Sequence, residues 1–401
     1  MANSFSASFK QYWARKQQRV FYKINVAQKI ADVSFEKELK EGNTFTRTYR
    51  SSNRIQRYIR GSDITIDDKT DTGENLVVDQ SFSTGFYVDD FDAIQNSYDA
   101  AKEYGEDDGV YLSNQVDADL LGEYSNAASI VDDGTLGGTP GNGITISPTN
   151  VLDIFAAAKK KLRKLNIPLE MGLVAVVSPE MEEVLEKLVA GRDTSKGDQA
   201  LNDGYVGKFL GFQTYASNQT SGSAVLSLAT QPTNTDPIVI NGVTFTFVSV
   251  IGAAAGNVLI GANVDATRAN LAALINAPGT TTANGVALSA TNQRLFINAS
   301  AVNDNAADTL AVKFKGVGSL TVSETLTDAV DGWTTTKQLQ HNLFGVKGGT
   351  GFIIQKEPRL SFKEEPKRHG GNILNGILYG YKTFNDGAKM LVDVAVDSSS
   401  F

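Results

Sequence analysis

The chain has 401 residues, no cysteine and two histidines, and its 37 basic against 45 acidic side chains leave a net charge of −8. That length allows two or three domains, and the lack of cysteine excludes both a disulfide framework and a thiolate metal site. No apolar run approaches the roughly 18 residues of a membrane helix and the first ten residues lack the apolar stretch of a secretory signal, so no membrane partner is expected.

The charge is unevenly spread. Residues 1–60 carry 13 Lys/Arg against four acids, whereas residues 61–140 carry two lysines against 19 acids. The pattern fits either two solvated faces or a head-to-tail contact between copies, in which opposed charges set register more than tightness. Residues 1–41 interleave aromatic and basic groups (Phe9, Lys10, Tyr12, Trp13, Arg15, Lys16). They read as an extended arm anchored on a neighbouring subunit, or as a surface for single-stranded nucleic acid.

Residues 42–80 read as a projecting two-stranded hairpin. Thr44, Thr46, Thr48 and Tyr49, then Arg54, Ile55, Tyr58 and Ile59, suit an outgoing strand, Gly61–Ser62 or Asp71–Gly73 a turn, and Leu76–Val78 the return. Arg47, Arg50, Arg54, Arg57 and Arg60 lie on the first half; Asp63, Asp67, Asp68, Asp71 and Glu74 lie on the second. So many charges cannot form a core, and long exposed edges require a cover. These ten residues are the candidate inter-subunit contacts.

Asp89 or Asp90 is expected to cap a helix with Phe91, Ile94, Tyr98 and Ala101 on one stripe, interrupted at Gly105–Gly109 and resumed over Val110–Tyr124. Residues 125–143 read as a surface loop. Ser147-Pro148 and Ser178-Pro179 predict two matched helix starts around the apolar strand Leu173–Val177, an α/β unit. Gly204, Gly207 and Gly211 then hinge into an alternating strand, Phe212–Ser217.

Composition changes abruptly after that strand. Residues 221–332 carry 11 charged side chains in 112 positions, against 71 in the other 289. This contrast predicts an inserted, mostly β domain with one helix over Val264–Asn276. Asn241-Gly242 should close a hairpin through a type I′ turn, and Val286–Ala290, Leu295–Ile297, Leu310–Phe314 and Leu320–Val322 are expected strands. The parent resumes at Trp333, with strand-like stretches at Gly351–Ile354, Leu360–Glu364, Ile377–Tyr381 and Met390–Val396.

Enzyme signatures are missing from the sequence. His341 and His369 have no second ligand at helical spacing, and Gly204–Phe209 lacks the length and the Ser/Thr of a phosphate-binding loop. The acids of Asp63–Glu74 lack calcium-loop spacing. No catalytic, cofactor-binding or metal residue is assigned, and no cofactor is expected.

The order of motifs resembles a known family. It comprises a basic arm, a charged hairpin, Val88-Asp89-Asp90-Phe91-Asp92 with Gln95, the Val176-Val177-Ser178-Pro179 junction, the glycine-hinged stretch Gly204–Asn218, and Gly380-Tyr381-Lys382. Together they look like the major capsid protein of a tailed double-stranded DNA bacteriophage. The resemblance implies an α+β, HK97-like fold. Residues 1–41 would be the N-terminal arm and 42–83 the extended loop. Residues 84–220 would form the first part of the peripheral and axial domains, with a spine helix over 89–124, and 333–401 the second part, around the insert at 221–332. It further implies assembly as hexamers and pentamers into an icosahedral virion shell around packaged double-stranded DNA, built in the bacterial host cytoplasm. Expected partners are further copies of the chain, a separate scaffolding protein (the arm being short), a portal protein and a decoration protein. An encapsulin-type compartment and a virion or cell-surface binding module are the alternative readings.

Overall fold

The computed structural model describes residues 26, 30–37, 39, 42–50, 55–63, 66, 68–89, 100–190, 207–357, 361–364 and 369–400. In chain order, the hairpin strands β1 (Thr44–Arg50) and β2 (Asp71–Val77) come first and β3 (Gln80–Asp89) follows. Helix α1 (Ala100–Gly122) leads through a 3-10 turn to β4 (Ser129–Val131) and α2 (Val151–Lys164). The α/β unit is β5 (Leu173–Val177) and α3 (Pro179–Ala190), continued by β6 (Lys208–Phe209) and β7 (Phe212–Ala216).

Strand β5 organises the body. All five of its residues are buried, because Leu173, Ala175 and Val177 face one core while Val174 and Val176 face another. The first core lies under α2 and α3 and includes Ile154, Phe155, Leu162, Met181 and Leu185. The second lies under α1, whose Leu112, Val116 and Leu120 recur every four residues. A strand buried on both faces reads as a continuous apolar run, and each buried Val or Leu contributes about 1.5–3 kcal/mol.

Residues 221–332 contain β8 (Ser221–Ser227), β9 (Pro237–Ile240), β10 (Val243–Val248), β11 (Asn257–Leu259), α4 (Val264–Asn276), α5 (Ala290–Leu295), β12 (Ala299–Asp304), β13 (Thr309–Phe314) and β14 (Val322–Glu324). After β15 (Gly332–Trp333) come β16 (Leu339–Val346), β17 (Gly351–Lys356), β18 (Ser361–Glu364), β19 (Gly370–Lys382), α6 (Asn385–Lys389) and β20 (Leu391–Asp397). The 221–332 segment has a core of its own, built on Leu226, Phe245, Phe247, Leu271, Phe296, Val312 and Phe314. It is nevertheless stitched to the body, since β12, β13 and β8 continue the sheet through β16 to β5, β7 and β6. Strands β17 and β18 pair one edge of the long β19, and β3 pairs the other.

Several local expectations need correcting. Asp89 ends β3 rather than capping a helix, and Asp90 lies outside the described residues. Helix α1 runs unbroken through Gly105 and Gly109, about 34 Å at 1.5 Å per residue. The hairpin turns at Gly61, whose φ is 87°, while Asp71–Gly73 already belongs to β2. Ser147 and Pro148 precede α2, which begins at Val151 after Asn150 accepts from the Ser147 amide at 2.8 Å. Ser178 does cap α3, accepting from the Met181 amide at 3.4 Å.

Within 221–332, Asn241 and Gly242 have φ of 48° and 77°, as a type I′ turn requires. Val286–Ala290 and Leu295–Ile297 are not strands. Ala290–Leu295 forms a second helix, and Phe296 is buried while Leu295 and Ile297 are exposed.

Candidate assembly interface

The hairpin is packed only at its base, where Leu76, Phe45 and Tyr49 join Ile353 and Phe384, and its ladder otherwise carries mostly charged and polar side chains. Its register sets Arg47 opposite Glu74 and Arg50 opposite Asp71, the opposite-charge pairing that favours a sheet. Two of the expected contact residues serve the chain itself. Arg47 pairs with Asp386 at 2.6 Å and lies 5.3 Å from the Phe384 ring. Glu74 accepts from the Asn385 amide at 3.1 Å, and the Tyr49 hydroxyl donates to Asp386 at 3.1 Å. Burial and the Asp386 carboxylate push the Tyr49 phenol well above its ordinary range. Hairpin and α6 are thus fastened at the base by charge-assisted bonds.

The other expected residues separate from that base. Arg50, Arg57, Arg60, Asp63, Asp68 and Asp71 are exposed, and Arg54 and Asp67 lie outside the described residues. Ile55, Tyr58 and Ile59, expected in the outgoing strand, lie beyond the end of β1 at Arg50 and stand bare instead: Ile55 is 101% exposed, Ile59 66% and Tyr58 64%, with Ile66 at 90%. A signal for this was present in the sequence, since large apolar residues in a stretch with no core to join must meet something else.

A cleft of about 330 Å³ opens beside the hairpin base, lined by Phe35, Arg47, Met171, Lys347, Phe384 and Met390 among others.

The spine-like helix α1 is fixed to residues 221–332 by polar groups. Gln115 and Asn298 exchange reciprocal amide hydrogen bonds at 2.7 and 3.0 Å. Lys315 Nζ donates to Asp119 at 3.0 Å and to the Tyr381 hydroxyl at 2.9 Å. Tyr379 donates to the other Asp119 oxygen at 2.5 Å. Burial would lower the Lys315 ammonium, but Asp119 and Tyr381 outweigh it and raise it. Burial and then Asp119 raise the Tyr379 phenol far above its usual range. Close approach here depends on Gly316, at φ 71°, where a Cβ would sit 2.5 Å from Ala118 Cβ.

One constellation invites a catalytic reading. Ser223 Oγ lies 2.9 Å from His341 Nε2, and His341 Nδ1 lies 2.9 Å from Asp393. A proton on Nδ1 would face the carboxylate and leave Nε2 to accept from the serine hydroxyl. Distances alone would suit a nucleophilic triad. The surroundings do not: all three residues are buried, and the Tyr124 ring stacks on the imidazole at 3.9 Å. Ser223 also sits mid-strand between β13 and β16, registered against Lys313 and Leu339, so its amide belongs to a ladder rather than an oxyanion hole. The three side chains instead tie β8, β16 and β20 together. Among the described residues no group of three or more His, Asp or Glu side chains is placed to hold a metal ion.

No protein-family model and no curated protein sequence matches the chain. Solved structures do, over nearly its whole length. A chain from Mycobacterium phage Che8 aligns with a TM-score of 0.57 at 15% identity, covering 98% of both chains. The capsid structure of cyanophage P-SCSP1u gives 0.54 at 12%, covering 99% of this chain and 95% of its own. The mature capsid of bacteriophage PhiM1 gives 0.50 at 10%, covering 97% and 92%. The chain has the HK97-like capsid fold. At these identities the likeness is one of fold. It spans residues 221–332 as well as the body, since so little of either chain is left unaligned.

Proposed function

We propose that this chain is the structural subunit of an icosahedral phage shell and performs no catalysis. Copies associate as hexamers and pentamers, each hairpin lying over a neighbour, and the closed shell encloses double-stranded DNA in the virion. A separate scaffolding protein directs assembly in the host cytoplasm, a portal protein occupies one vertex, and a decoration protein is a further partner. The observation that carries this reading is the end-to-end likeness to phage capsid chains, including the P-SCSP1u and PhiM1 capsids. The exposed hairpin supports it physically, because a strand pair with a bare apolar tip needs a cover that the described residues do not supply.

Electron microscopy of the protein, produced together with its scaffolding candidate, tests the proposal. Closed shells, tubes or spirals are expected. A homogeneous monomer under those conditions would overturn it.

A further inference from the structure

The chain carries apolar anchors without a pocket and a pocket without an anchor. We propose that the cleft at the hairpin base receives the hairpin tip of another copy, with Tyr58 and its neighbour Ile59 as the apolar anchors. This inference rests on the shell reading above and names the surface through which neighbouring copies engage.

The cleft has the size and lining of a receptor for side chains. Its volume of about 330 Å³ is at the small end of ligand sites, suited to one or two large side chains rather than a whole element. Phe35, Phe384, Met171 and Met390 supply apolar wall, and Met171 is 53% exposed. Glycines bring the walls together. A Cβ on Gly387 would lie 2.0 Å from the Gly349 carbonyl oxygen, and one on Gly351 would lie 2.9 Å from the Phe384 ring.

Charge fits both ways. Arg47 and Asp386 neutralise each other inside the cleft. That leaves Asp32 and Lys347 on its lining, neither in an ion pair among the described residues. The tip offers Arg57 and Arg60 to the first and Asp63 to the second, all exposed.

The chain's own tip is not the occupant. No residue of 55–63 lines the cleft, and Ile55 touches nothing that removes it from solvent. The β1–β2 ladder begins at the base, where Arg47 is held, and leads outward past the Arg50–Asp71 pair. A donor at the tip and an acceptor at the base are different surfaces of one subunit, so the contact is heterologous and repeats around a ring.

The cysteine-free sequence allows a clean test. Particles are made from the full chain carrying Ser62→Cys and Met171→Cys, treated with a short flexible bis-maleimide and run under denaturing conditions. A ladder of covalent multimers is expected. Mixed particles from the two single variants should give dimers only, and either single variant alone should give none. Tyr58→Ala should raise the concentration needed for assembly at least tenfold, as loss of a central anchor does, while the unfolding midpoint of the free subunit stays unchanged. A cross-linked monomer of altered mobility would mean that the cleft takes its own tip. Absent linkage in intact particles, or equal linkage of Ser62→Cys to Val250→Cys on the 221–332 segment, would mean that the tip docks elsewhere. Either result overturns the inference while leaving the shell reading standing. A chain that forms no particles even without substitutions would instead remove the shell reading itself.

Discussion

The β1–β2 hairpin keeps its charges and joins a small core only at its base, where Leu76, Phe45 and Tyr49 meet Ile353 and Phe384, whereas residues 221–332 forgo charges and build a core of their own. In the hairpin only Leu76 of the two strands is fully buried, and the tip stands bare. In the 221–332 segment three phenylalanines pack edge to face, Phe296 lying 5.5 Å from Phe245 and 5.0 Å from Phe314. Both leave the body as excursions between strands. The difference teaches that an excursion can hold its shape by burying its own apolar residues, and otherwise depends on what it meets.

Four substitutions or conditions bear on that contrast, from the largest effect on the folded chain to the smallest. Phe314→Ala should cost about 3–5 kcal/mol in denaturant unfolding, the usual range for emptying a buried aromatic site. A loss below about 1 kcal/mol would mean that the segment's core is not cooperative with the body. Lys315→Met should cost about 1–3 kcal/mol, because it leaves the buried Asp119 carboxylate without its cation. Equal stability of the variant would sever the proposed link between segment and helix α1.

Alkaline pH should act next. Tyr49, Tyr124, Tyr379 and Tyr381 all have folded-state values above the ordinary 10.0, so the folded chain retains protons that the unfolded chain releases. Their stabilisation is complete below about pH 10 and falls as pH rises beyond it. Tyr379→Phe should flatten that fall, measured as unfolding free energy between pH 9 and pH 11; an unchanged slope would refute the assignment. The smallest effect on folding belongs to Arg57→Glu with Arg60→Glu, at exposed tip positions outside the β1–β2 ladder. These exposed changes should shift subunit stability by less than about 0.5 kcal/mol yet abolish assembly. Normal shells from that variant would end the role given to the hairpin charges.

How much was legible in the sequence depended on whether a residue's role was local. The Asn241-Gly242 turn, the buried run Leu173–Val177 and the cap at Ser178 all follow from chemistry within a few positions, and all are present. Strand β16 was not legible. Its Gln340, His341 and Asn342 look like loop residues, yet all three are buried. Their partners are remote: Asn342 accepts from the Ser178 amide, and His341 meets Ser223 and Asp393. Strand β8 hid for a similar reason, its Ser221-Gly222-Ser223 start offering no apolar period. At the interface, the charges of the hairpin could be read directly. That Arg47 and Glu74 turn inward to α6 could not, because Asp386 lies more than 300 residues away in sequence.

The placement of β16 also sets a timetable. Strands β5 and β7 pair with each other, but β16, which covers the far edge of β5, is separated from β7 by about 120 residues. At roughly 5–20 residues per second of synthesis, the unfinished sheet waits on the order of 6–24 seconds for its central strand. During that wait the 221–332 segment can already assemble most of its aromatic core, since that core draws on almost nothing synthesised later. A folded intervening segment shortens the effective distance that β16 must search to reach β5.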